Sequence, residues 1–273
     1  MDVVKRKGEV ISKDQRSLVS YRYKRITQAI NSEFWNINND IEHSLYVGSY
    51  GRGTAINTSD IDILVELPKE EYERFDAMKG NGQSRLLQVL KNAIKKTYPK
   101  SEIHGDGQVV VIDFTDDIKF EVLPAFRHLD WWGDWNGSYD YPDTNMGGAW
   151  RNTDPKVEQQ AMKEKNLASN GLLFDTCKHM REIRDNKFSS YHLPGIVIDS
   201  FVYHNIADWH WSQSNESGSN LPIGTYEKIL LDSCSKYNYN LCNLTAPGSG
   251  IEVYFESCID ILYRILKYMS KEA

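Results

Sequence analysis

The sequence is organised around residues 45–67, where a glycine-rich turn separates a short apolar segment from two aspartates that alternate with isoleucines. Apolar residues recur at every second position from Ile61 to Val65, which predicts a strand with Asp60 and Asp62 on its opposite face. Two carboxylates on one strand face repel each other unless a cation lies between them. Hard oxygen ligands at this spacing suit Mg²⁺, which commonly takes one or two carboxylates together with substrate phosphates.

The turn before this strand contains Gly48, Ser49, Gly51 and Gly53. Glycines let a backbone approach a polyphosphate closely, and its amide groups then serve as hydrogen-bond donors. The Ser49 hydroxyl would be a further donor. The turn is therefore predicted to bind phosphate beside the aspartates.

An isolated Asp-x-Asp is more often the solvated face of a strand than a metal site. In this chain, Gly48-Ser49 precedes Asp60 by ten intervening residues. The composite pattern Gly-Ser-x10-Asp-x-Asp resembles the signature of the polymerase-β-type nucleotidyltransferases. It is much more specific than either half alone.

A third acidic candidate, Glu121, lies in a second β-branched run. Phe120 and Val122 face one way there and Glu121 the other, with Lys119 on its side. A lone strand glutamate is usually solvated. However, Phe-Glu-Val-Leu-Pro-Ala at residues 120–125 is similar to a superfamily pattern, apolar-Asp-apolar-apolar-Pro-Ala, with Glu in place of Asp. That resemblance implies that Glu121 is the third metal ligand.

Length and charge restrict the class of protein. The 273 residues suffice for one large domain or for two packed lobes. A net charge of −6 and a pI near 5.7 argue against a protein that coats long nucleic acids, so nucleotides are the favoured partners.

The four cysteines form no Cys-x-x-Cys pair, and residues 1–7 lack the apolar core of a signal peptide, so reduced thiols in the cytoplasm are expected. A zinc site from these cysteines with His179, His192 or His204 has no supporting spacing. The apolar run at residues 251–269 is interrupted by charges. It is predicted to be an amphipathic helix that does not cross a membrane.

Periodicity and turn residues divide the chain into predicted elements. Helices are expected at residues 13–37, 69–78, 84–98, 155–168, 172–186, 194–211, 224–237 and 251–269. Strands are expected at residues 45–47, 60–67, 108–114 and 118–123, and a polar connector at residues 212–220. This order predicts an α+β fold with helices on a small mixed sheet.

Residues 127–154 have no helical period and are predicted to form a long ordered loop. Six large aromatic residues lie in it: Trp131, Trp132, Trp135, Tyr139, Tyr141 and Trp150. Such residues could form a wall on which bases stack, or they could pin the loop to the core.

Taken together, these motifs resemble those of the cGAS/DncV-like nucleotidyltransferases, which synthesise cyclic oligonucleotide messengers in bacterial CBASS antiphage systems and in animal innate immunity. Two further segments contribute to the likeness. Cys-Lys-His-Met-Arg at residues 177–181 is similar to the segment whose lysine contacts the triphosphate, which assigns that role to Lys178. Phe-Ser-Ser-Tyr-His-Leu at residues 188–193 is similar to the segment whose serine binds phosphate and whose tyrosine stacks on a base, which assigns Ser190 and Tyr191.

The resemblance implies a polymerase-β-like catalytic lobe at residues 1–155, packed on a helical nucleotide-binding lobe at residues 156–273. The predicted helix at residues 13–37 belongs to the first lobe and could pack across both.

The implied activity is Mg²⁺-dependent synthesis of a cyclic di- or trinucleotide from NTPs, with release of pyrophosphate. Asp60, Asp62 and Glu121 would hold two Mg²⁺ ions, with Mn²⁺ as an alternative, and Gly48, Ser49, Lys178, Ser190 and Tyr191 would bind nucleotide. The expected substrates are ATP, GTP or both, with pyrimidine NTPs also open. The product would act on a downstream effector without direct contact between the two proteins, and a regulatory CBASS partner is also open.

Two alternatives remain at this point. One is a template-independent transferase that makes linear oligonucleotides. The other is a nucleotide-binding regulator without turnover, which the glutamate at position 121 motivates.

Overall fold

The computed structural model describes residues 2–57, 60–212, 221–239 and 243–270. The chain divides into two compact units. The first, here called the sheet unit, comprises Ser12–Gly51 and Ser59–Pro155. The second, the helical unit, comprises Met1–Ile11, Arg52–Thr58 and Lys156–Ala273.

The sheet unit has most of its helices in its first half and a run of strands in its second, as is typical of an α+β fold. Its helices are α1 (Lys13–Ile30, continued by a π-helical turn Asn31–Trp35), α2 (Gly48–Gly51), α3 (Lys69–Asp76) and α4 (Gly82–Thr97). Its strands are β1 (Ser44–Tyr46), β2 (Ile61–Glu66), β3 (Glu102–Asp106), β4 (Val109–Asp113), β5 (Lys119–Leu129), β6 (Trp135–Asp143) and β7 (Ala149–Thr153).

The helical unit begins its main segment with α5 (Pro155–Ala168), whose first residue belongs to the sheet unit. It continues with α6 (Leu172–Lys187), α7 (Gly195–Asn205), α8 (Thr225–Tyr239), the short ladder of β8 (Leu244–Thr245) and β9 (Glu252–Val253), and α9 (Ile259–Ser270).

The strands of the sheet unit form one mixed sheet in the order β1-β2-β5-β4-β3, extended by β6 on β5 and by β7 on β6. Strands β2 and β5 run parallel, whereas the other neighbouring pairs run antiparallel. Strand β5 is long enough to pair with β2 and β4 through its first half and with β6 through its second half. The predicted α+β fold with a mixed sheet is confirmed.

Alternation along β2 produces the two sides of this sheet. Ile61, Ile63 and Val65 are buried in a core that also contains Leu86 and Leu90 of α4. The intervening Asp62 lies on the opposite face, half-buried. Burial of one apolar face is what fixes the register of a strand, because a shift of one residue would exchange the two faces.

The prediction of a long loop at residues 127–154 is wrong. This segment completes β5 and forms β6 and β7. Its Gly, Asp, Asn and Pro residues disfavour strands by local propensity, but pairing with the end of β5 overrides that preference. The connecting turn is held by the Asp130 side chain, which accepts hydrogen bonds from the backbone amides of Trp132 and Asp134.

The aromatic residues of this segment divide into two groups. Trp135 packs edge-on against Tyr139, and Trp150 packs against Phe126, so these residues fix strands to the core. Trp131 and Trp132, in the turn, are 94% and 85% exposed.

Other boundaries also differ from the predictions. Strand β3 was not predicted, and the predicted helix at residues 194–211 ends at Asn205. Helix α9 begins only at Ile259, because Glu252–Val253 pairs with β8 instead. Residues 213–220 of the predicted connector lie outside the described residues.

A buried ionic network organises the helical unit. The Asp199 carboxylate is fully buried and accepts hydrogen bonds from Arg181 at 2.7 and 2.8 Å and from Arg52 at 2.9 Å. Arg181 also donates to the Thr54 carbonyl at 2.9 Å. Arg52 and Thr54, at the end of the glycine-rich turn, are thereby fixed to helices α6 and α7.

None of the described helices is both long and apolar enough to cross a membrane. The predicted amphipathic character of the C-terminal helix is confirmed over α9, whose buried residues recur at helical spacing: Ile261, Leu262, Ile265, Leu266 and Met269.

Asp199→Asn should lower the free energy of unfolding by about 3–5 kcal/mol, because it removes the charge partner of the buried Arg181 and one of the two carboxylate partners of Arg52. Urea unfolding followed by circular dichroism would measure this loss. Arg74→Ala is the matched control, since it breaks an exposed pair with Glu71 and should cost less than about 1 kcal/mol. Equal, small losses for the two variants would contradict the structural importance of the network.

Candidate active site

Backbone pairing places the glycine-rich turn beside the second aspartate. Strands β1 and β2 align Tyr46 with Ile63, and the next amide, that of Val47, donates to the Asp62 carbonyl at 2.9 Å. Helix α2 begins at the following residue, and its single turn is closed by a hydrogen bond from the Gly51 amide to the Val47 carbonyl. Gly48 therefore lies directly against Asp62.

Gly48 is glycine for two physical reasons. Its φ is +57°, which other residues rarely adopt. In addition, a Cβ at this position would lie 1.8 Å from Oδ2 of Asp62. The structure thus explains Gly48 by the approach of a carboxylate, whereas its predicted contact with phosphate stays a prediction. Ser49 follows in α2 and is half-buried.

The third carboxylate is aligned by the parallel pairing of β2 and β5. In this register Asp62 is the direct partner of Glu121. Neighbouring strands lie about 4.8 Å apart, so the two side chains leave one sheet face as neighbours. Asp60 immediately precedes β2 and is two residues from Asp62, on the same face by alternation.

Lys119 lies among these carboxylates. Its Nζ is 3.2 Å from Oδ2 of Asp60 and 2.7 Å from Oε1 of Glu121. The sequence predicted that Lys119 lies on the same strand face as Glu121 but did not indicate a role for it. The available signal was the period of two along β5, which puts residues 119 and 121 side by side.

Electrostatics at this face reflect burial and crowding. Partial burial raises the pKa of Asp60 above its ordinary value. The charge of Lys119 opposes that shift and the charge of Glu121 adds to it. Burial lowers the pKa of Lys119, but its hydrogen bonds and charge interactions with Glu121 and Asp60 outweigh burial, so the net shift is upward. The ammonium group is thus held in its charged form.

The donor set of Asp60, Asp62 and Glu121 fits a hard divalent cation in its chemistry, since all three supply carboxylate oxygens. Among the described residues, no three or more His, Cys, Asp or Glu side chains are placed closely enough in this structure to bind a metal ion together. Lys119 contacts two of the three carboxylates, Asp60 and Glu121, and balances part of their charge in this structure.

The three residues assigned by resemblance to nucleotide binding lie in the helical unit. Lys178 on α6 is half-buried and donates from Nζ to the Gly8 carbonyl at 3.1 Å. Burial lowers the pKa of Lys178. The negative charge of Asp175, on the same helix, is the largest of the effects that oppose this shift.

Ser190 and Tyr191 lie in a turn closed by a hydrogen bond from the Tyr191 amide to the Phe188 carbonyl. Both side chains are exposed. Arg264 of α9 donates to the Tyr191 hydroxyl at 3.1 Å, and its guanidinium carbon is 5.3 Å from the ring centroid. Nothing in the sequence indicated Arg264, because it is one of several charged residues on an amphipathic helix.

The three described cysteines are not arranged as a metal site. Cys177, Cys234 and Cys258 are buried free thiols, and burial raises the pKa of each. Cys242 lies outside the described residues. Buried protonated thiols are poor metal ligands.

Comparison with known proteins connects this geometry to a family. The sequence model of the Second Messenger Oligonucleotide or Dinucleotide Synthetase domain, abbreviated SMODS, matches residues 9–166. A probable cyclic nucleotide synthase of Bacillus cereus (strain VD146) is 26% identical over 160 residues, which cover 55% of this chain and 47% of that relative. The matched part thus spans about half the length of that curated relative.

Solved structures are similar over more of the chain. A Rhodothermus marinus CdnE c-UMP-AMP synthase matches with a TM-score of 0.62 and 15% identity, covering 91% of this chain and 88% of that one. An Elizabethkingia meningoseptica CdnE cyclic dinucleotide synthase matches with a TM-score of 0.60 and 14% identity, covering 94% and 97%. Vibrio cholerae DncV cyclic AMP-GMP synthase matches with a TM-score of 0.58 and 15% identity, covering 83% and 61%. At these identities the structures establish the fold.

The family match includes every acidic candidate and the glycine-rich turn, and it covers more than half of the chain. The polymerase-β-like fold and the resemblance to cGAS/DncV-like nucleotidyltransferases are both confirmed. The chain belongs to the SMODS family of nucleotidyltransferases.

Proposed function

We propose that this nucleotidyltransferase joins NTPs into a cyclic di- or trinucleotide messenger and releases pyrophosphate. The observation that carries the proposal is the alignment of Asp62 with Glu121 across two parallel strands, beside Asp60 and against Gly48, in a chain of the SMODS family. Such an arrangement concentrates carboxylate oxygens on one sheet face, as phosphoryl transfer requires.

Asp60 and Asp62 would hold the Mg²⁺ that accompanies the triphosphate, and both with Glu121 would hold a second ion, with Mn²⁺ as an alternative. When bound, magnesium neutralises phosphate charge and lowers the pKa of an attacking hydroxyl. The carboxylates themselves orient the reactants. Their contribution is mainly positioning and charge compensation.

In the transfer, a ribose hydroxyl oxygen forms a bond to the α-phosphorus while the bond from that phosphorus to the pyrophosphate oxygen breaks. Pyrophosphate leaves with the bonding electrons. The hydroxyl proton passes to Glu121 or to solvent, so Glu121 is either a proton acceptor or only a ligand.

Ser49, Lys178, Ser190 and Tyr191 would bind the nucleotides. Exposure of Ser190 and Tyr191 and the positive charge of Lys178 support these roles. A charged lysine and hydroxyl groups make short hydrogen bonds to phosphate oxygens, and an exposed tyrosine ring can stack on a base. Lys178 would exchange its hydrogen bond to Gly8 for one to phosphate.

ATP, GTP or both are the proposed substrates, and pyrimidine NTPs are included. The similar Rhodothermus marinus enzyme was solved with Apcpp and Upnpp, and the Elizabethkingia meningoseptica enzyme with GTP and Apcpp. The product would act in the cytoplasm on a CBASS effector that this protein does not contact directly, and a regulatory CBASS partner would control synthesis.

Cyclisation has a physical basis. After one transfer, the linear intermediate carries both a 5′-triphosphate and a free hydroxyl. If it reverses while bound, the two groups meet at the high effective concentration of an intramolecular reaction, which favours closure over further addition. The Vibrio cholerae structure contains a linear intermediate, which is consistent with such a sequence of steps in that enzyme.

Incubation with all four NTPs and Mg²⁺ should release pyrophosphate and yield a product that keeps its mass after phosphatase treatment. A cyclic product has no terminal phosphate to remove. Asp60→Asn and Asp62→Asn should abolish pyrophosphate release. Asp62→Asn should leave the thermal midpoint unchanged or raised, because it relieves repulsion, whereas Asp60→Asn also removes the ion pair with Lys119. Liquid chromatography with mass spectrometry would identify the product. A ladder that loses terminal phosphates would support linear extension, and no pyrophosphate at all would support the regulator.

Glu121→Gln should reduce the initial rate by about 10²-fold or more, since an amide is a poor metal ligand and cannot accept a proton. Glu121→Asp keeps the carboxylate and should retain part of the rate. Initial rates with Mg²⁺ and with Mn²⁺ would compare the two variants. If Glu121→Gln were fully active, the third carboxylate would lie elsewhere, and Asp113 would be tested next.

Lys178→Ala should weaken the binding of a non-hydrolysable ATP analogue by about 1–3 kcal/mol, through loss of a charge-assisted hydrogen bond to phosphate. Isothermal titration calorimetry would measure the affinity. Lys187→Ala removes an exposed lysine from the same helix and should leave the affinity unchanged. Identical affinities for the two variants would return Lys178 to a structural role.

A further inference from the structure

The strongest unassigned group in the sheet unit is Lys119, the first residue of β5. Its side chain leaves the sheet on the same face as Glu121, and its Nζ contacts both Glu121 and Asp60, at 2.7 and 3.2 Å. The contact with Asp60 crosses from β5 to the residue preceding β2. Lys119 therefore joins two carboxylates that the proposed function assigns to the metal.

Two positive ions cannot share these oxygens without cost. The Lys119 side chain is 35% exposed and that of Glu121 26% exposed, so water screens the pair only in part. A divalent ion that takes the oxygens of Asp60 and Glu121 must displace the ammonium group, or bind against its repulsion. In both cases, Lys119 weakens the binding of the divalent ion.

The sheet offers Lys119 a second partner. In the antiparallel pairing of β4 and β5, Asp113 is its direct cross-strand neighbour. Side chains at directly opposed positions have Cβ atoms about 4.5–5.5 Å apart, which is within reach of a lysine. The Asp113 side chain is 42% exposed, and its Oδ2 is 3.8 Å from Nδ1 of His104.

We propose that Lys119 is a resident counter-cation, which holds Asp60 and Glu121 in the metal-free protein and moves to Asp113 when a divalent cation binds. The inference rests on the proposed function, because it takes these carboxylates as the metal ligands. Lys119 is thus a positioning residue. It stabilises the crowded carboxylates before substrate arrives, and it lowers the affinity of the site for an ion without nucleotide.

The test is binding of Mn²⁺ alone to the full chain without nucleotide, followed by the electron paramagnetic resonance signal of free Mn²⁺. Lys119→Met should bind Mn²⁺ about tenfold more tightly, because a nearby positive charge is gone. Its metal-free thermal midpoint should fall, and saturating Mn²⁺ should restore it. Lys119→Gln provides the same test if the methionine variant folds poorly.

Three controls separate this role from a general effect of charge. Lys119→Arg keeps the cation and should bind Mn²⁺ as the unmodified protein does. Lys69→Met makes the same charge change in the same unit, at an exposed lysine paired with Glu73, and should leave the affinity unchanged. Asp113→Asn removes the second partner and should weaken Mn²⁺ binding severalfold.

The inference is overturned if Lys119→Met binds Mn²⁺ with unchanged or lower affinity. If the Mn²⁺ affinity is unchanged and the variant has also lost NTP binding, Lys119 would be a phosphate ligand instead. Asp60→Asn and Asp62→Asn distinguish this failure from a failure of the proposed function. If they abolish Mn²⁺ binding while Lys119→Met has no effect, only the inference fails; if they too have no effect, the metal site itself is wrong.

Discussion

The parallel pairing of β2 with β5 is the interaction on which the candidate site depends. These strands are distant in sequence, and helices and a hairpin lie between them, yet their register makes Asp62 and Glu121 direct partners. Burial of Ile61, Ile63 and Val65 on the other face enforces this register, since a slip of β2 by one residue would take all three out of their core and turn Asp62 into it. The hydrophobic core therefore sets the geometry of the acidic face.

Three neighbouring carboxylates would destabilise the sheet unless their charge were compensated and their side chains had room. Residues of the same unit supply both. Lys119 contacts Asp60 and Glu121 from within β5. Gly48 gives Asp62 room by lacking a side chain, and its positive φ is a backbone conformation that other residues rarely adopt. Both features are local, and both depend on strand pairing that brings distant segments together.

The segment Arg52–Thr58, which begins at the end of the glycine-rich turn and leads toward Asp60, belongs to the helical unit, although the chain on either side of it belongs to the sheet unit. Arg52 and Thr54 in this segment join Arg181 and Asp199 in a buried network. Removing one member of such a network leaves another charge buried without compensation, so these residues act as a set. The ten residues between Ser49 and Asp60 are thus more than a spacer, because some of them are anchored by the helical unit.

The sequence by itself determined the acidic strand, the glycine turn, the helices from α3 to α6 and the family resemblance. Each of these depends on a short pattern: a period of two or of 3.6, a Gly-Ser step at a fixed distance, or a proline that ends an element. The strand assignments at Asp62 and Glu121 could be made because apolar neighbours alternate around both residues.

Only the tertiary structure decided which residues meet. It made strands of the segment after Leu129, because pairing with β5 outweighs the low strand propensity of Gly137 and Pro142. It also showed Lys119 between Asp60 and Glu121, since a contact across strands depends on register and side-chain reach. No local sequence pattern encodes strand register or side-chain reach. For this physical reason the sequence indicated the carboxylates of Asp60, Asp62 and Glu121 but not the contact of Lys119 with two of them.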